Sequence, residues 1–130
     1  MLADLQRQCG LSYEEIDGLA GERAEFPRDA LVTELTPQRI ARVAFRPGLT
    51  AAQKVCAVYE RILSSFRERA RQICLFTEKP ERLVITGGQA RLPELCRRKA
   101  EILGGIPIEE RARPEAAAYG AARICLDALQ

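Results

Sequence analysis

Residues 83–91 read Leu83-Val84-Ile85-Thr86-Gly87-Gly88-Gln89-Ala90-Arg91 and carry the clearest structural signal of the sequence. The apolar, β-branched start of this stretch predicts a short strand buried on both faces, and a helical pattern begins at Leu92 or Pro93. Glycines at the carboxyl end of a strand allow a positive φ and let a ligand approach without a Cβ in the way. Ligands of open α/β sheets bind at this edge, so the glycine pair favours a nucleotide-contacting turn. An ordinary strand-to-helix turn also suits two glycines, and the motif alone leaves both interpretations open.

The composition around this stretch is that of one globular domain. The chain has 130 residues, of which 47% are hydrophobic and 29% are charged, enough to build a core. It has no apolar run of about 18 residues and no signal-peptide pattern, so we expect neither a membrane span nor a membrane partner. The net charge of +2, with arginines spread along the chain, does not favour a nucleic-acid partner.

Residue usage excludes several kinds of catalytic and metal site. The chain has no His, which removes Ser-His and Cys-His catalysis and His-containing zinc sites. Its five cysteines are widely spaced and form no Cys-x-x-Cys motif. Four of them fall in apolar helical patterns, so we predict small buried hydrophobic residues in a reducing cytoplasm. The five are Cys9, Cys56, Cys74, Cys96 and Cys125.

The amino-terminal part predicts two short helices. The first covers residues 1–8 and closes at Gly10. The second begins after Ser12, where Glu15 completes a capping-box pattern, and it stops near Gly21.

A hairpin and a long helix follow. Alternating patterns at residues 31–35 and 39–45 predict two paired strands. Thr50 and Gln53 form a second capping-box pattern and open the longest helix, predicted over residues 51–77. Its apolar positions predict one continuous stripe: Val55, Tyr59, Ile62, Phe66, Ala70 and Ile73. Its arginines lie mostly off that stripe and predict a solvated face: Arg61, Arg67, Arg69 and Arg71.

After the central strand, helix and strand alternate again. A helix is predicted from about residue 92 to 103, capped by Gly104 and Gly105, with five buried positions: Leu92, Leu95, Cys96, Ile102 and Leu103. A short strand is predicted at residues 106–108, at a sheet edge or beginning there because of Pro107. Pro114 suits the first turn of a last helix that runs to about Leu129.

The predicted order is therefore helix, helix, strand, strand, and then helix and strand in alternation, ending on a helix. This order favours an α/β class, with an antiparallel hairpin, parallel strands and flanking helices. Gly120 lies inside the last helix, where glycine costs about 1 kcal/mol relative to alanine. Close packing or a neighbouring ligand accounts for a glycine there.

Three stretches taken together resemble the carboxyl-terminal domain of the FGGY carbohydrate kinases. Residues 85–91 resemble the family's adenosine motif, residues 100–108 its following helix and strand, and residues 114–122 its small-residue helix. Residues 30–35 and 44–50 are similar to a strand pair before the long helix, and residues 11–16 resemble a helix start of the xylulokinase branch.

The resemblance covers most of residues 30–129 and implies part of an actin-like ATPase domain, the ribonuclease H-like fold. We accordingly divide the chain into a helical lead-in, residues 1–29, and a kinase-like carboxyl-terminal domain, residues 30–130. ATP is the implied cofactor, with Mg²⁺ brought by the nucleotide. The implied nucleotide contacts are Gly87, Gly88 and Gln89, with Ala90 and Arg91 beside them and Gly120 on the purine side.

The chain also departs from the family pattern. The family's third glycine is Gln89 here, and no residue matches the catalytic Asp or the two phosphate motifs, so we assign no catalytic residue and no metal ligand. The aspartates without matching surroundings are Asp4, Asp17, Asp29 and Asp127. Phosphoryl transfer needs those parts, so we expect the isolated chain to be inactive.

Two interpretations of the whole chain follow, beside a third in which it is an α/β domain of unrelated function that binds neither a nucleotide nor a partner. In the first, it is the nucleotide side of a sugar or polyol kinase, as a fragment or as one subunit of a split enzyme, and it needs an amino-terminal lobe or a second chain. In the second, it is a non-catalytic remnant of the actin-like fold that acts through a protein partner or as a homodimer. Exposed strand edges would favour such pairing.

Overall fold

The computed structural model describes residues 1–35 and 41–111. Two compact units divide the chain: residues 1–78 form the first unit, and the second unit begins at Lys79. Each unit has its own helices and paired strands, and each is considered by itself below.

Two short helices open the first unit, as predicted. Helix α1, Leu2–Cys9, ends at Gly10, which adopts the left-handed conformation with a φ of 66°. Helix α2, Tyr13–Gly21, begins with the predicted capping box. The Glu15 amide donates to the Ser12 hydroxyl over 3.2 Å, and the Ser12 amide donates to the Glu15 carboxylate over 2.7 Å. Two N–H groups that the helix cannot satisfy internally are thereby bonded.

The predicted hairpin is confirmed. Strands β1, Leu31–Leu35, and β2, Ala41–Phe45, are antiparallel, with Leu31 opposite Phe45. An ion pair of 3.0 Å between Asp29 and Arg46 lies beside the open end of the hairpin. The predicted start of the second strand at residue 39 lies outside the described residues.

Helix α3, Ala51–Cys74, is the longest element and begins with the predicted capping box between Thr50 and Gln53. Its first half supplies much of the core of the first unit, through Val55, Cys56, Ala57, Val58, Tyr59 and Leu63. The four arginines predicted to face solvent are all exposed.

The prediction that one continuous apolar stripe packs along the whole of α3 is wrong. Burial ends at Leu63, Ile73 is 60% exposed, and the helix stops at Cys74 rather than at residue 77. The lengths of the elements explain the difference. Helices α1 and α2, which pack on α3, are each about 13 Å long, whereas α3 spans about 36 Å. Short helices cover only part of a long one, so an amphipathic pattern does not by itself bury a whole face.

The second unit is built on a parallel strand pair. Strand β3, Leu83–Thr86, pairs with β4, Ile108–Arg111, with Leu83 opposite Ile108. The last strand was predicted at residues 106–108 and instead begins at Ile108. Pro107 has no N–H to give to a ladder, and its carbonyl accepts from the Leu83 amide over 2.9 Å just before the paired residues.

The prediction that β3 is buried on both faces is also wrong. Ile85 is 6% exposed, whereas its neighbour Val84 is 42% exposed. Successive side chains of a strand point to opposite faces, so one face of β3 is packed and the other is open to solvent.

Helix α4, Pro93–Ile102, connects the two strands and begins where the sequence predicted. Its buried residues include the predicted Leu92, Leu95 and Cys96, together with Lys99 and Ala100, while Ile102 and Leu103 are only half-buried. The predicted glycine cap is present. Gly104 and Gly105 have φ values of 90° and 75°, and their amides donate to Glu101 and Ala100, which is the Schellman pattern.

The cysteines differ from the prediction in part. Cys56 and Cys96 are buried, Cys9 is half-buried, and Cys74 is exposed at the end of α3. Cys125 lies outside the described residues, as do Gly120 and the predicted last helix. No helix among residues 1–35 and 41–111 is long and apolar enough to cross a membrane.

Candidate functional site

The glycine turn, residues Gly87–Arg91, directly follows the carboxyl end of β3. It is a single 3₁₀ stretch that begins after the extended Thr86, whose φ is −131°. It contacts β3, β4 and α4, so all the described elements of the second unit meet at this turn. The turn therefore occupies the position at which an α/β sheet binds its ligands.

The two glycines of the turn differ in what they require. Gly87 has a φ of 75°, a conformation that favours glycine, and no atom of the described residues lies within 4 Å of a Cβ built there. Gly88 has an ordinary φ, and the described residues leave the space at its Cβ position empty to 4 Å as well. Within residues 1–35 and 41–111, the backbone at both glycines is therefore open to the approach of another molecule.

A 3₁₀ turn separates the strand from α4 because of Pro93. The residue before a proline is kept out of the α region, and Leu92 accordingly has φ −122° and ψ 81°. Helical backbone therefore stops at Arg91 and restarts at Pro93. The sequence predicted the start of α4 correctly but did not predict this five-residue turn.

Gln89 attaches the glycine turn to α4 through three contacts. Its carbonyl oxygen accepts from the Leu92 amide over 3.2 Å and from the Cys96 thiol over 3.4 Å. Its side-chain oxygen, Oε1, accepts from the ammonium of Lys99. Both the backbone and the side chain of Gln89 are thus held by groups of α4 or its first turn.

Lys99 is the most unusual charged residue of the site, with a side chain only 9% exposed. Burial lowers the pKa of its ammonium, because desolvation disfavours the charged form, and the neighbouring Cys96 opposes part of that effect. The ammonium of Lys99 is buried and bonds to Gln89 of the turn, whereas Arg91 at the end of the turn is exposed.

Ion pairs between neighbouring side chains of α4 stabilise this helix. Glu94 pairs with Arg97 and Arg98 over 2.6 and 2.8 Å, and the hydrogen bond from Arg97 is the main reason that the pKa of Glu94 is lowered. Glu94 lies in the first turn of the helix, where a negative charge also interacts favourably with the helix dipole. The helix that holds Gln89 is thereby stabilised.

The structure places five of the six predicted site residues together. Gly87, Gly88, Gln89, Ala90 and Arg91 form the glycine turn, and Gly120 lies outside the described residues. Sequence reasoning missed Lys99, although a signal was present. Position 99 falls three and four residues after Cys96 and Leu95, on the apolar face of α4, and a lysine there breaks the pattern.

Each aspartate in the described residues has a hydrogen-bond or ion-pair partner. In each case the partner belongs to the first unit: Asp4 pairs with Arg7, Asp17 accepts from Tyr59, and Asp29 pairs with Arg46. Asp127 lies outside the described residues. Each of these three carboxylates therefore has a polar partner within the first unit.

A second concave surface lies beside β1 in the first unit. It is a groove of about 590 Å³ between Phe26 and Leu31 on one side and Ala57 and Arg61 on the other. Charges of both signs line it, since Arg28 and Glu60 are present as well. This mixture does not select a ligand of one charge, so the glycine turn is the stronger candidate site.

Comparison with known proteins identifies a family for most of the chain. A family model described as the FGGY family of carbohydrate kinases, carboxyl-terminal domain, matches residues 17–129. No curated protein and no solved structure matches the chain.

Proposed function

The chain belongs to the FGGY family of carbohydrate kinases, and we propose that its glycine turn contacts the adenosine of ATP in such an enzyme. The family match makes the chain the carboxyl-terminal part of a carbohydrate kinase, within the actin-like ATPase fold. The observation that carries the proposal is the position of Gly87 and Gly88, with open backbone at the carboxyl end of β3.

The shape of the turn fits a nucleoside. A flat base or a ribose needs close approach to backbone, and a Cβ at Gly87 or Gly88 would stand in space that the described residues leave empty to 4 Å. Gln89 adds a polar side chain at the same turn, and Ala90 and Arg91 flank it. Gly120 stays a prediction for the purine side.

In this proposal Mg²⁺ arrives with the nucleotide. Within the part of the chain that the structure describes, no three His, Cys, Asp or Glu side chains are grouped closely enough to hold a metal ion. ATP phosphates bind Mg²⁺ with only one or two protein carboxylates or none, so the turn needs no metal ligand of its own.

We further propose that these 130 residues do not complete a kinase by themselves. Positioning of the phosphates, the metal and an oriented base accounts for most of phosphoryl transfer. The chain has no match to the family's catalytic Asp or phosphate motifs, and the described aspartates pair within the first unit. An amino-terminal lobe, in the same or a second chain, would supply these parts and the sugar site.

The direct test is an amide NMR titration of the full chain with Mg-ATP, Mg-ADP and adenosine. We expect shifts confined to Gly87–Arg91 and neighbouring residues of the second unit, and similar shifts with adenosine alone. The absence of shifts at millimolar nucleotide would contradict nucleotide binding by this chain. A coupled ADP-release assay with a panel of sugars and polyols tests the second part, and turnover by the purified chain would overturn it.

A second function is supported by exposed apolar side chains at the end of α3. Ile73, Leu75 and Phe76 are 60%, 71% and 88% exposed in the first unit. Neighbouring exposed apolar residues mark surfaces that bind other proteins. In this alternative the chain acts without catalysis, through a protein partner or as a homodimer.

Sedimentation velocity tests whether the exposed apolar residues at the end of α3 form a homodimer. If the end of α3 forms a homodimer, the wild type will associate in the micromolar range and Phe76→Glu will be monomeric. Arg69→Glu is the control, because it changes an exposed position of the same helix and should leave association unchanged, whereas Phe66 is half-buried and does not suit this purpose. Monomers at all concentrations for both proteins would contradict the homodimer.

A further inference from the structure

Lys99 is a buried lysine whose ammonium donates a hydrogen bond to the glycine turn. Its side chain is 9% exposed, and burying an ammonium is costly unless its donors find acceptors. One of those acceptors is Oε1 of Gln89, on the glycine turn. The bond joins α4 to the one residue at which this chain departs from the family's run of glycines.

The chemistry of the two groups fixes the orientation of the Gln89 amide. An ammonium is only a donor, and a carboxamide has one acceptor oxygen and one NH₂ group. The Lys99 ammonium therefore bonds to Oε1 of Gln89. If the Gln89 amide flipped, its NH₂ group would face the N–H donors of Lys99, and no hydrogen bond could form. The polar hydrogens that Gln89 can offer to a ligand are then those of Nε2.

The backbone of Gln89 is fixed as well. Its carbonyl oxygen accepts from the Leu92 amide and the Cys96 thiol, so rotation of the turn would break both bonds. A side chain on a fixed backbone, held at its oxygen, keeps little rotational freedom. A donor positioned in this way binds an acceptor without the entropy cost of ordering a free side chain.

We propose that Lys99 is a positioning residue for the nucleotide, which orients Gln89 so that its N–H groups bind acceptor atoms of the nucleoside. Ring nitrogens of the base and oxygens of the ribose are such acceptors. This inference rests on the proposed function, because it assigns a contact within the adenosine site. It also gives Gln89 the role of a ligand that the family's glycine cannot perform.

The test is the affinity for adenosine, measured by NMR titration of the full chain. Adenosine has no phosphate, so changes in protein charge affect it little. Lys99→Met keeps the length of the side chain and removes the donor, and we expect affinity to fall about threefold to tenfold, the effect of one hydrogen bond. Lys79→Met is the control, since Lys79 is an exposed lysine of the same unit, and it should leave affinity unchanged.

A double-mutant cycle separates positioning from a general structural effect. In a Gln89→Gly background there is no amide to orient, so Lys99→Met should no longer change the affinity. An equal loss in both backgrounds would overturn the proposal, because Lys99 would then act without Gln89. Unchanged affinity in Lys99→Met alone would also overturn it, while leaving adenosine binding by the turn intact.

Gln89→Glu decides the matter if Lys99→Met fails to fold. Its carboxylate keeps an acceptor for Lys99 but has no N–H group to offer the nucleoside. We expect a folded protein with at least a threefold loss of adenosine affinity. Wild-type affinity in this variant would overturn the proposal. Absence of adenosine binding in the wild type would instead overturn the proposed function, and this inference with it.

Discussion

The hydroxyl of Tyr59 on α3 donates a hydrogen bond of 2.8 Å to the carboxylate of Asp17 on α2. Tyr59 is fully buried, and its ring lies in the core of the first unit. The bond therefore connects a helix of the lead-in to the longest helix of the chain. It also gives Asp17 a role in the structure of the first unit.

Tyr59→Phe should destabilise the first unit by about 1.5–3 kcal/mol, the usual effect of one hydrogen bond to a charged group. The ring remains in the core, so the cost of a cavity is avoided. Amide hydrogen exchange of α2 and α3 measures the loss locally, which is useful because the chain has two units. Tyr13→Phe is the matched control, since Tyr13 is half-buried at the start of α2. Equal loss of protection in the two variants would contradict a specific role for the Tyr59 bond.

Gly87→Ala should destabilise the second unit by about 1–2 kcal/mol, because alanine is strained in the left-handed conformation. The φ of 75° at Gly87 requires this conformation, although the Cβ itself would have room. Hydrogen exchange of β3 and β4 gives the measurement. Unchanged protection of both strands would show that the turn relaxes to a negative φ at no cost.

Gly88→Ala should separate binding from stability. The residue has an ordinary φ, and the described residues leave its Cβ position empty, so we expect the free energy of unfolding to remain within about 0.5 kcal/mol of the wild type. If adenosine lies against this backbone, the new methyl group will weaken its binding. A titration with adenosine measures the change, and Gly18→Ala, which also has open space at its Cβ but lies in α2, is the control. Wild-type affinity in Gly88→Ala would place the nucleoside elsewhere.

Local sequence signals predicted the described helix ends well wherever a capping motif is present, whereas the end of α3 was placed three residues too late. Both capping boxes, at Ser12 and Thr50, and the double-glycine end of α4 are present as predicted. Each of these depends on residues within about one helical turn of one another. The family resemblance, read from short ordered motifs, agrees with the family match over residues 17–129.

Burial and side-chain partners were harder to predict because they depend on distant parts of the chain. The apolar pattern of α3 indicates a face, but the short partner helices set how much of it is covered, and Ile73 stays exposed. For the site, the sequence singled out residues 87–91 at the end of β3 but not the 3₁₀ conformation that they adopt. The contact between Gln89 and Lys99 was not predicted, because ten residues separate them and only the fold brings them together.

Cysteine labelling tests the burial of the thiols. Cys74 is exposed, whereas Cys56 and Cys96 are buried, so a maleimide should modify Cys74 in the folded chain at least tenfold faster than the other two. Peptide mass spectrometry assigns each site, and labelling in denaturant serves as the control because all thiols then react. Rapid modification of Cys96 in the native chain would mean that α4 opens frequently, and it would weaken the case for a rigid Gln89.

Glu94 should make the stability of α4 depend on pH in the acid range. The pKa of Glu94 is lowered from its ordinary value of 4.5, chiefly by the hydrogen bond from Arg97. A lowered folded-state pKa means that, as pH falls, the unfolded chain binds the proton before the folded chain does. The stabilisation that Glu94 contributes is therefore complete above pH 4.5 and is lost as pH falls through the lowered value. Glu94→Gln should therefore cost about 0.5 kcal/mol near neutral pH, the typical value for such a pair.

Hydrogen exchange of α4 as a function of pH tests this, with the intrinsic exchange rate subtracted at each pH. The difference between Glu94→Gln and the wild type should be constant above about pH 6 and should shrink below the ordinary carboxylate pKa. Glu78→Gln is the control, because Glu78 is exposed and lies outside α4. A difference that persists unchanged at the lowest pH would show that Glu94 acts through packing or hydrogen bonding rather than through its charge. The arginine pairs of α4 would then contribute nothing to the support of the glycine turn.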